Sequence, residues 1–172
     1  AADQLETFNQ TYPGSPIAAE VDLRGDALAG FEIIDAGFDE VGPLADACNR
    51  PVVRVDDGQK LAPIVTAMMD VSDGLLLDAE RMATASQNGI EIDLACVPLS
   101  PLYIGYRTDS LESRMQAASW GDDYQLLFTA SPEAAIAVPA TAVGRVVAGG
   151  GLTLKNGEAP VKLPPTLGYQ HQ

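Results

Sequence analysis

Ala67-Met68-Met69-Asp70-Val71-Ser72-Asp73-Gly74-Leu75-Leu76 decides how this chain is read. An apolar run ends in two carboxylates, a hydroxyl and a glycine, and a helical pattern begins at once. Leu75, Leu76, Ala79, Met82 and Ala83 recur at spacings that put most of them on one face of a helix. Ser72 or Asp73 stands where an N-cap side chain would accept a free N–H of the first turn. The stretch predicts a strand, a tight turn and a helix. Asp70 and Asp73 then come out at the end of the strand, where open α/β sheets bind ligands. A helix N-terminus draws anions through its unpaired N–H groups and its dipole, whereas two carboxylates repel a bare phosphate. A divalent cation reconciles the two, because Mg²⁺ takes carboxylate oxygens and bridges to phosphate oxygens. The turn therefore has two readings: a site for a metal-bound nucleotide phosphate, or a capped helix with a solvated aspartate.

Two further stretches share the acid–glycine pattern. Upstream, Asp22-Leu23-Arg24-Gly25-Asp26 lies between a predicted strand, Ile17 to Leu23, and a predicted apolar helix, Ala27 to Ile34. It suggests a second strand–turn–helix unit, parallel to the first and beside it. Downstream, Trp120-Gly121-Asp122-Asp123-Tyr124-Gln125-Leu126-Leu127-Phe128 feeds paired acids through a glycine turn into a strand. Those acids suit a metal or a ligand amine, and they equally suit a cap or solvent. Trp120, the only tryptophan, lies at helical spacing from Met115 and reads as core.

Between these landmarks the pattern is regular. Residues 1–16 read as an irregular lead-in and 17–172 as one domain. Asp39 to Cys48 and Gly58 to Val65 read as helices, with Arg50 to Arg54 extended by its proline. Asn88-Gly89 reads as a left-handed helix stop, Ile90 to Leu94 as an alternating strand, and Ser110 to Ser119 as an amphipathic helix. Pro98 to Pro101 breaks the chain, whereas Ser131-Pro132-Glu133 opens a helix. Val143 to Val147 is a strand, Gly149-Gly150-Gly151 a hairpin connection, and Asn156-Gly157 a type I′ hairpin turn. Residues 167–171 read as disorder on their own pattern.

Composition removes whole classes of function. With 24 acidic against 10 basic residues, a net charge of −14 argues against nucleic acid or an anionic membrane as partner. No apolar run approaches the roughly 20 residues of a membrane span, and no signal peptide pattern is visible. Cys48 and Cys96 form no C-x-x-C pattern, so buried thiols in a reducing cytosol are expected. His171, the only histidine, stands in the tail, which leaves little room for a Ser–His–Asp or Cys–His mechanism.

Taken together and in order, several motifs resemble the C-terminal half of thiamine-monophosphate kinase. They are Leu23 to Gly30, Arg50-Pro51, Asp70 to Leu75, Gly121 to Phe128, the Asn156-Gly157 hairpin and Gly168-Tyr169. The resemblance implies an α/β (α+β) fold, a mixed sheet with helices packed on it, like the C-terminal domain of the aminoimidazole ribonucleotide synthetases. It implies phosphoryl transfer from ATP to thiamine monophosphate in the cytoplasm, with several Mg²⁺ ions. By position, Asp70 and Asp73 would bind Mg²⁺, Ser72 would contact ATP, and Asp122 and Tyr169 would line the thiamine phosphate pocket. Two departures matter. The family's N-terminal half, with its Gly-Asp-Asp metal motif and its homodimer contact, is absent from these residues, and Trp120 stands where the family often has glycine. The chain is therefore expected to fold but not to turn over alone. Another synthetase-like member, or a binding domain without turnover, remains an alternative.

Overall fold

The computed structural model of the chain describes residues 16–20, 25–37 and 42–169. Seven strands and six α-helices run in the order β1 (Pro16–Glu20), α1 (Asp26–Asp35), α2 (Pro43–Asn49), α3 (Val55–Leu61), β2 (Val65–Asp70), α4 (Leu75–Ser86) and β3 (Gly89–Asp93), then a 3₁₀ turn (Leu94–Cys96), α5 (Pro101–Tyr106), α6 (Leu111–Ser119), β4 (Leu126–Ala130), β5 (Ala140–Val147), β6 (Gly151–Asn156) and β7 (Ala159–Val161). The strands make one sheet in the order β2-β4-β1-β5-β3-β6-β7. Every neighbouring pair is antiparallel except β3 and β6. This is the mixed sheet with helices that the family resemblance implies.

Helix α4 carries the largest share of the core. Leu75, Leu76, Ala79, Met82 and Ala83 are buried against Ile90 and Ile92 of β3, Val143 and Val146 of β5, and Leu152 and Leu154 of β6. A second cluster joins Leu28 and Ala29 of α1 to Leu99, Tyr103 and Ala117. Tyr103 anchors it: the ring is buried, and its hydroxyl donates to the Ser113 carbonyl at 3.0 Å. Gly25 enters α1 at φ +100° directly over that ring, where a Cβ would lie 2.4 Å from it. A third cluster gathers Leu61, Phe128, Ala130 and Val138.

The two strand–turn–helix units are not side by side. Strand β4 lies between β1 and β2 and pairs antiparallel with both, so the two point the same way without touching. Tertiary pairing also overrode several local signals. The helix expected over 58–65 is α3, which starts at Val55 and stops two residues before Pro63; Val65 already belongs to β2. The strand expected over 17–23 begins at Pro16, and residues 21–24 lie outside the described residues, as do 39–41 of the expected second helix, 1–15 and 170–172. The left-handed stop after α4 is Gln87, at φ 53°; Gly89 instead opens β3, where a Cβ would meet Val147 at 2.7 Å.

Ser100-Pro101 opens a short helix, α5, that the sequence pattern missed. Ser100 Oγ accepts from the N–H groups of Leu102 and Tyr103. Ser131-Pro132-Glu133 makes only a turn, closed by the Ala134 N–H on the Ser131 carbonyl. Beyond it Ala134, Ile136 and Val138 pack on the third cluster at a spacing of two, and Pro139 disfavours helix at Val138. Gly149 to Gly151 is not a hairpin, because β3 lies between β5 and β6; Gly89 pairs with Val147 on one side and Gly151 on the other. The β6–β7 hairpin does form, but its loop is Gly157-Glu158. Of those two only Gly157 has positive φ, the pattern of a II′ turn and not I′. Cys48 is half-buried and Cys96 exposed, so the expectation of two buried thiols is wrong for Cys96.

Asp93 ties this end of the sheet together. One carboxylate oxygen accepts from the N–H groups of Ala95, at 3.0 Å, and Gly157, at 2.9 Å, and Lys155 Nζ lies 3.4 Å from the other. Burial pushes the Asp93 pKa up, but the Gly157 and Ala95 N–H groups and the Lys155 ammonium outweigh it and hold the pKa below its ordinary value. A depressed carboxylate stabilises the fold above its unfolded pKa of about 3.9 and loses that contribution as pH falls through the folded value. Asp93→Asn should therefore cost about 1 kcal/mol at pH 7, read as a lower melting temperature. The gap between variant and parent should close as pH drops below about 4. A gap that does not change with pH would mean that the charge contributes nothing.

Candidate functional site

The turn between β2 and α4 has a backbone with almost every group assigned. Asp78, on the first turn of α4, is fully buried among leucines. Its Oδ2 accepts from the N–H groups of Ser72 and Asp73, at 3.1 and 3.0 Å. This reverses the expected cap. Neither Ser72 nor Asp73 caps the helix; Gly74 occupies the N-cap at φ 122°, and a carboxylate inside the helix reaches back to the turn. The Ser72 and Asp73 N–H groups are thus committed to Asp78.

The carbonyls of the same turn hold two distant segments. The Gln125 carbonyl accepts from the Val71 N–H, while Val71, Ser72 and Asp73 in turn accept from the N–H groups of Tyr124, Asp122 and Tyr169, all at 2.8–2.9 Å. Glycine is required at both approaches. A Cβ on Gly121 would sit 2.2 Å from the Ser72 carbonyl oxygen, and one on Gly168 would sit 2.2 Å from that of Asp73. Gly168 and Tyr169, part of the tail that reads as disorder, are therefore docked on this turn; residues 170 and 171 lie outside the described residues. Asp122 and Tyr124 both take left-handed backbone, at φ 64° and 51°. Asp tolerates that region and a bulky aromatic seldom does, so the loop spends about 1 kcal/mol to present these side chains.

What results is a cleft of about 450 Å³ lined by Ser72, Asp73, Trp120, Asp122, Tyr124 and Tyr169, together with Ser119, Gly121 and Gly168. Four of the five residues singled out by sequence meet here: Ser72, Asp73, Asp122 and Tyr169. Asp70 does not line it. It is exposed at the end of β2, in an adjoining apolar cleft of about 350 Å³ walled by Val52, Val53, Val55 and Leu126. Tyr124 stands between the two clefts and lines both. Trp120 packs on the second core cluster, with Phe31 tilted against it at 5.0 Å, and also forms cleft wall.

The electrostatics are one-sided. The charge of Asp122 is the largest influence raising the Tyr124 pKa, followed by burial, a long 3.4 Å contact to Asp122, and the charges of Asp70 and Asp73. Three carboxylates thus bear on a single hydroxyl. The Cys48 thiol is pushed up by burial and then by Asp122. Asp73 is mostly buried and is bonded by Arg81 from α4. Among the described residues no three His, Cys, Asp or Glu side chains converge as a metal cage. Sequence reasoning missed Asp78, Arg81 and Tyr124. Asp78 had a signal, as a charged residue on a helix face otherwise made of Leu, Ala and Met; Tyr124 had none, because its role follows from a backbone angle.

Comparison with known proteins gives the family. The family model described as AIR synthase related protein, C-terminal domain, matches residues 25–155. Thiamine-monophosphate kinase from Haemophilus influenzae is 32% identical over 135 residues, covering 71% of this chain and 41% of that protein. The Escherichia coli K12 thiamine-monophosphate kinase is 32% identical over 164 residues, covering 86% and 49%. Among solved structures, AaThiL complexed with AMPPCP and TMP superposes with a TM-score of 0.75 at 30% identity, covering 89% of this chain and 52% of that one. The chain spans about half the length of the relatives it matches. On the strength of the matched residues 25–155, the chain belongs to the family of AIR synthase related protein C-terminal domains.

Proposed function

We propose that this chain is the C-terminal part of a thiamine-monophosphate kinase, a cytoplasmic, homodimeric enzyme that moves the terminal phosphoryl group of ATP onto thiamine monophosphate. The observation that carries this reading is the cleft itself. Ser72, Asp73, Asp122 and Tyr169, separated by up to a hundred residues, share one wall because the turn's carbonyls bind both other segments. The relatives' names and a neighbour complexed with AMPPCP and TMP support it.

The chemistry expected of such a site suits these residues. Phosphoryl transfer depends on positioning and charge neutralisation and needs no covalent nucleophile from the protein. Thiamine monophosphate carries a thiazolium cation and an aminopyrimidine. Asp122 offers a carboxylate to either, and the exposed Tyr169 ring and the Trp120 indole offer faces for the cation. Ser72 would meet the nucleotide phosphates. Mg²⁺ fits the donor set in part: Asp70, Asp73 and Asp122 together bear on the Tyr124 hydroxyl, a field that a divalent cation relieves. When bound, the ion would shield the phosphate charge. Asp70 and Asp73 would hold it, with further ligands from the half of the enzyme outside this sequence.

Two outcomes test the reading. Trp120, the sole tryptophan, reports on the cleft, so thiamine monophosphate should change its fluorescence saturably. Asp122→Ala should weaken that binding about tenfold, the loss of one charge-assisted contact. Inorganic phosphate producing the same change as thiamine monophosphate would show that the thiamine part is not recognised. The purified 172-residue chain should also unfold cooperatively yet form no measurable thiamine diphosphate from ATP, because losing part of a preorganised charge cluster typically costs 10²-fold or more in rate. Robust turnover would contradict the half-site reading.

A further inference from the structure

Arg81, on α4, is bonded to one of the candidate ligands, Asp73. Its Nη1 bonds Asp73 Oδ2 and, at 2.8 Å, Asp78 Oδ1. One guanidinium nitrogen therefore bridges a structural carboxylate and a cleft carboxylate. Arg81 does not line the cleft; its side chain is 46% exposed, whereas the Asp73 side chain is 12% exposed. Asp78 does not depend on this bridge, because it keeps the Ser72 and Asp73 N–H groups. Asp73 is where the guanidinium makes a difference.

We propose that Arg81 is a built-in counter-cation for Asp73, which a divalent ion entering the cleft must displace or share. The inference rests on the reading of Asp73 as a metal ligand and concerns how that ligand is kept. An aspartate this buried, in the same cleft as Asp122, calls for a compensating charge. Arg81 supplies it, and so holds the turn in its working shape before any ligand arrives. The consequence is a trade: the turn is organised without metal, and metal binds more weakly than the carboxylates alone would allow. Arg81 is thus a positioning residue that sets the concentration at which the site loads.

The test is Mn²⁺ binding to the 172-residue chain, followed by loss of the free-ion signal in electron paramagnetic resonance, with thermal melts in chelator as a check on folding. Arg81→Gln removes the charge and keeps a polar side chain. It should bind Mn²⁺ about tenfold more tightly, the order expected when a close charge competitor is lost from a partly exposed pair. Arg81→Lys, which keeps the charge, should stay near the parent. The gain should vanish in Asp73→Asn/Arg81→Gln. A second readout is the Arg81 Nε–H resonance, which should shift on saturation with Mg²⁺. If the parent binds Mn²⁺ and Asp73→Asn loses it, but folded Arg81→Gln binds no more tightly, this inference fails and the metal-site reading stands. If no form binds Mn²⁺, both fail together.

Discussion

A buried carboxylate holds the functional half of this molecule together. Asp78 lies on the helix that carries the largest share of the core, so its position is fixed by the packing of Leu75, Leu76, Ala79 and Met82 on the sheet. From there it satisfies two N–H groups of the preceding turn. With the donors committed, the turn's carbonyls are aimed outward, and each accepts a backbone N–H from elsewhere in the chain. A chain segment placed by hydrophobic packing thus becomes a template on which two remote loops are laid by hydrogen bonds. Gly121 and Gly168 are the positions where that approach leaves no room for a side chain.

The site that follows is open and unevenly charged. Polar residues gather on one side of Tyr124 and aliphatic ones on the other, with Val52, Val53 and Val55 presented to solvent beside Asp70. Among the described residues, Asp70, Asp73 and Asp122 bear on the Tyr124 hydroxyl, and Arg81 bonds Asp73. Under the proposed function, such an arrangement is part of a binding site whose balancing charges come with the ligand, the ion or the rest of the enzyme. That accords with a chain matching about half the length of its relatives.

Much of this was legible in the amino-acid sequence, and the failures share a cause. The β2–α4 unit was readable because its apolar spacing and its acid–glycine turn point the same way, and Ser72, Asp73, Asp122 and Tyr169, which line one cleft, stand out in the motifs. The order of strands was not readable, since nothing local records that β4 lies between β1 and β2 or that β3 separates β5 from β6. The paired Ser-Pro signals show the limit well. At Ser100 the cap works because Tyr103 has a buried seat, and at Ser131 the following apolar residues are taken up in extended form by a different cluster. The cap of α4 was misassigned for a related reason: Gly74 takes the N-cap, and the buried Asp78 inside the helix accepts the Ser72 and Asp73 N–H groups instead. The placement of Asp70 outside the main cleft depends on the aromatic wall of Tyr124, which only a left-handed backbone puts there.

The central claim is that the β2–α4 turn, held by Asp78, organises the cleft loops as one unit. Amide hydrogen exchange on Asp78→Ala tests it most directly, with Asp122, Tyr124 and Tyr169 as reporters of the cleft and Ile90 and Leu154 as reporters of the sheet. The account predicts that protection at the three cleft amides falls together by about tenfold or more, the loss of one to three kcal/mol of local stability, while the sheet amides stay protected. Unchanged protection at the cleft, or a loss spread equally over the sheet, would contradict it.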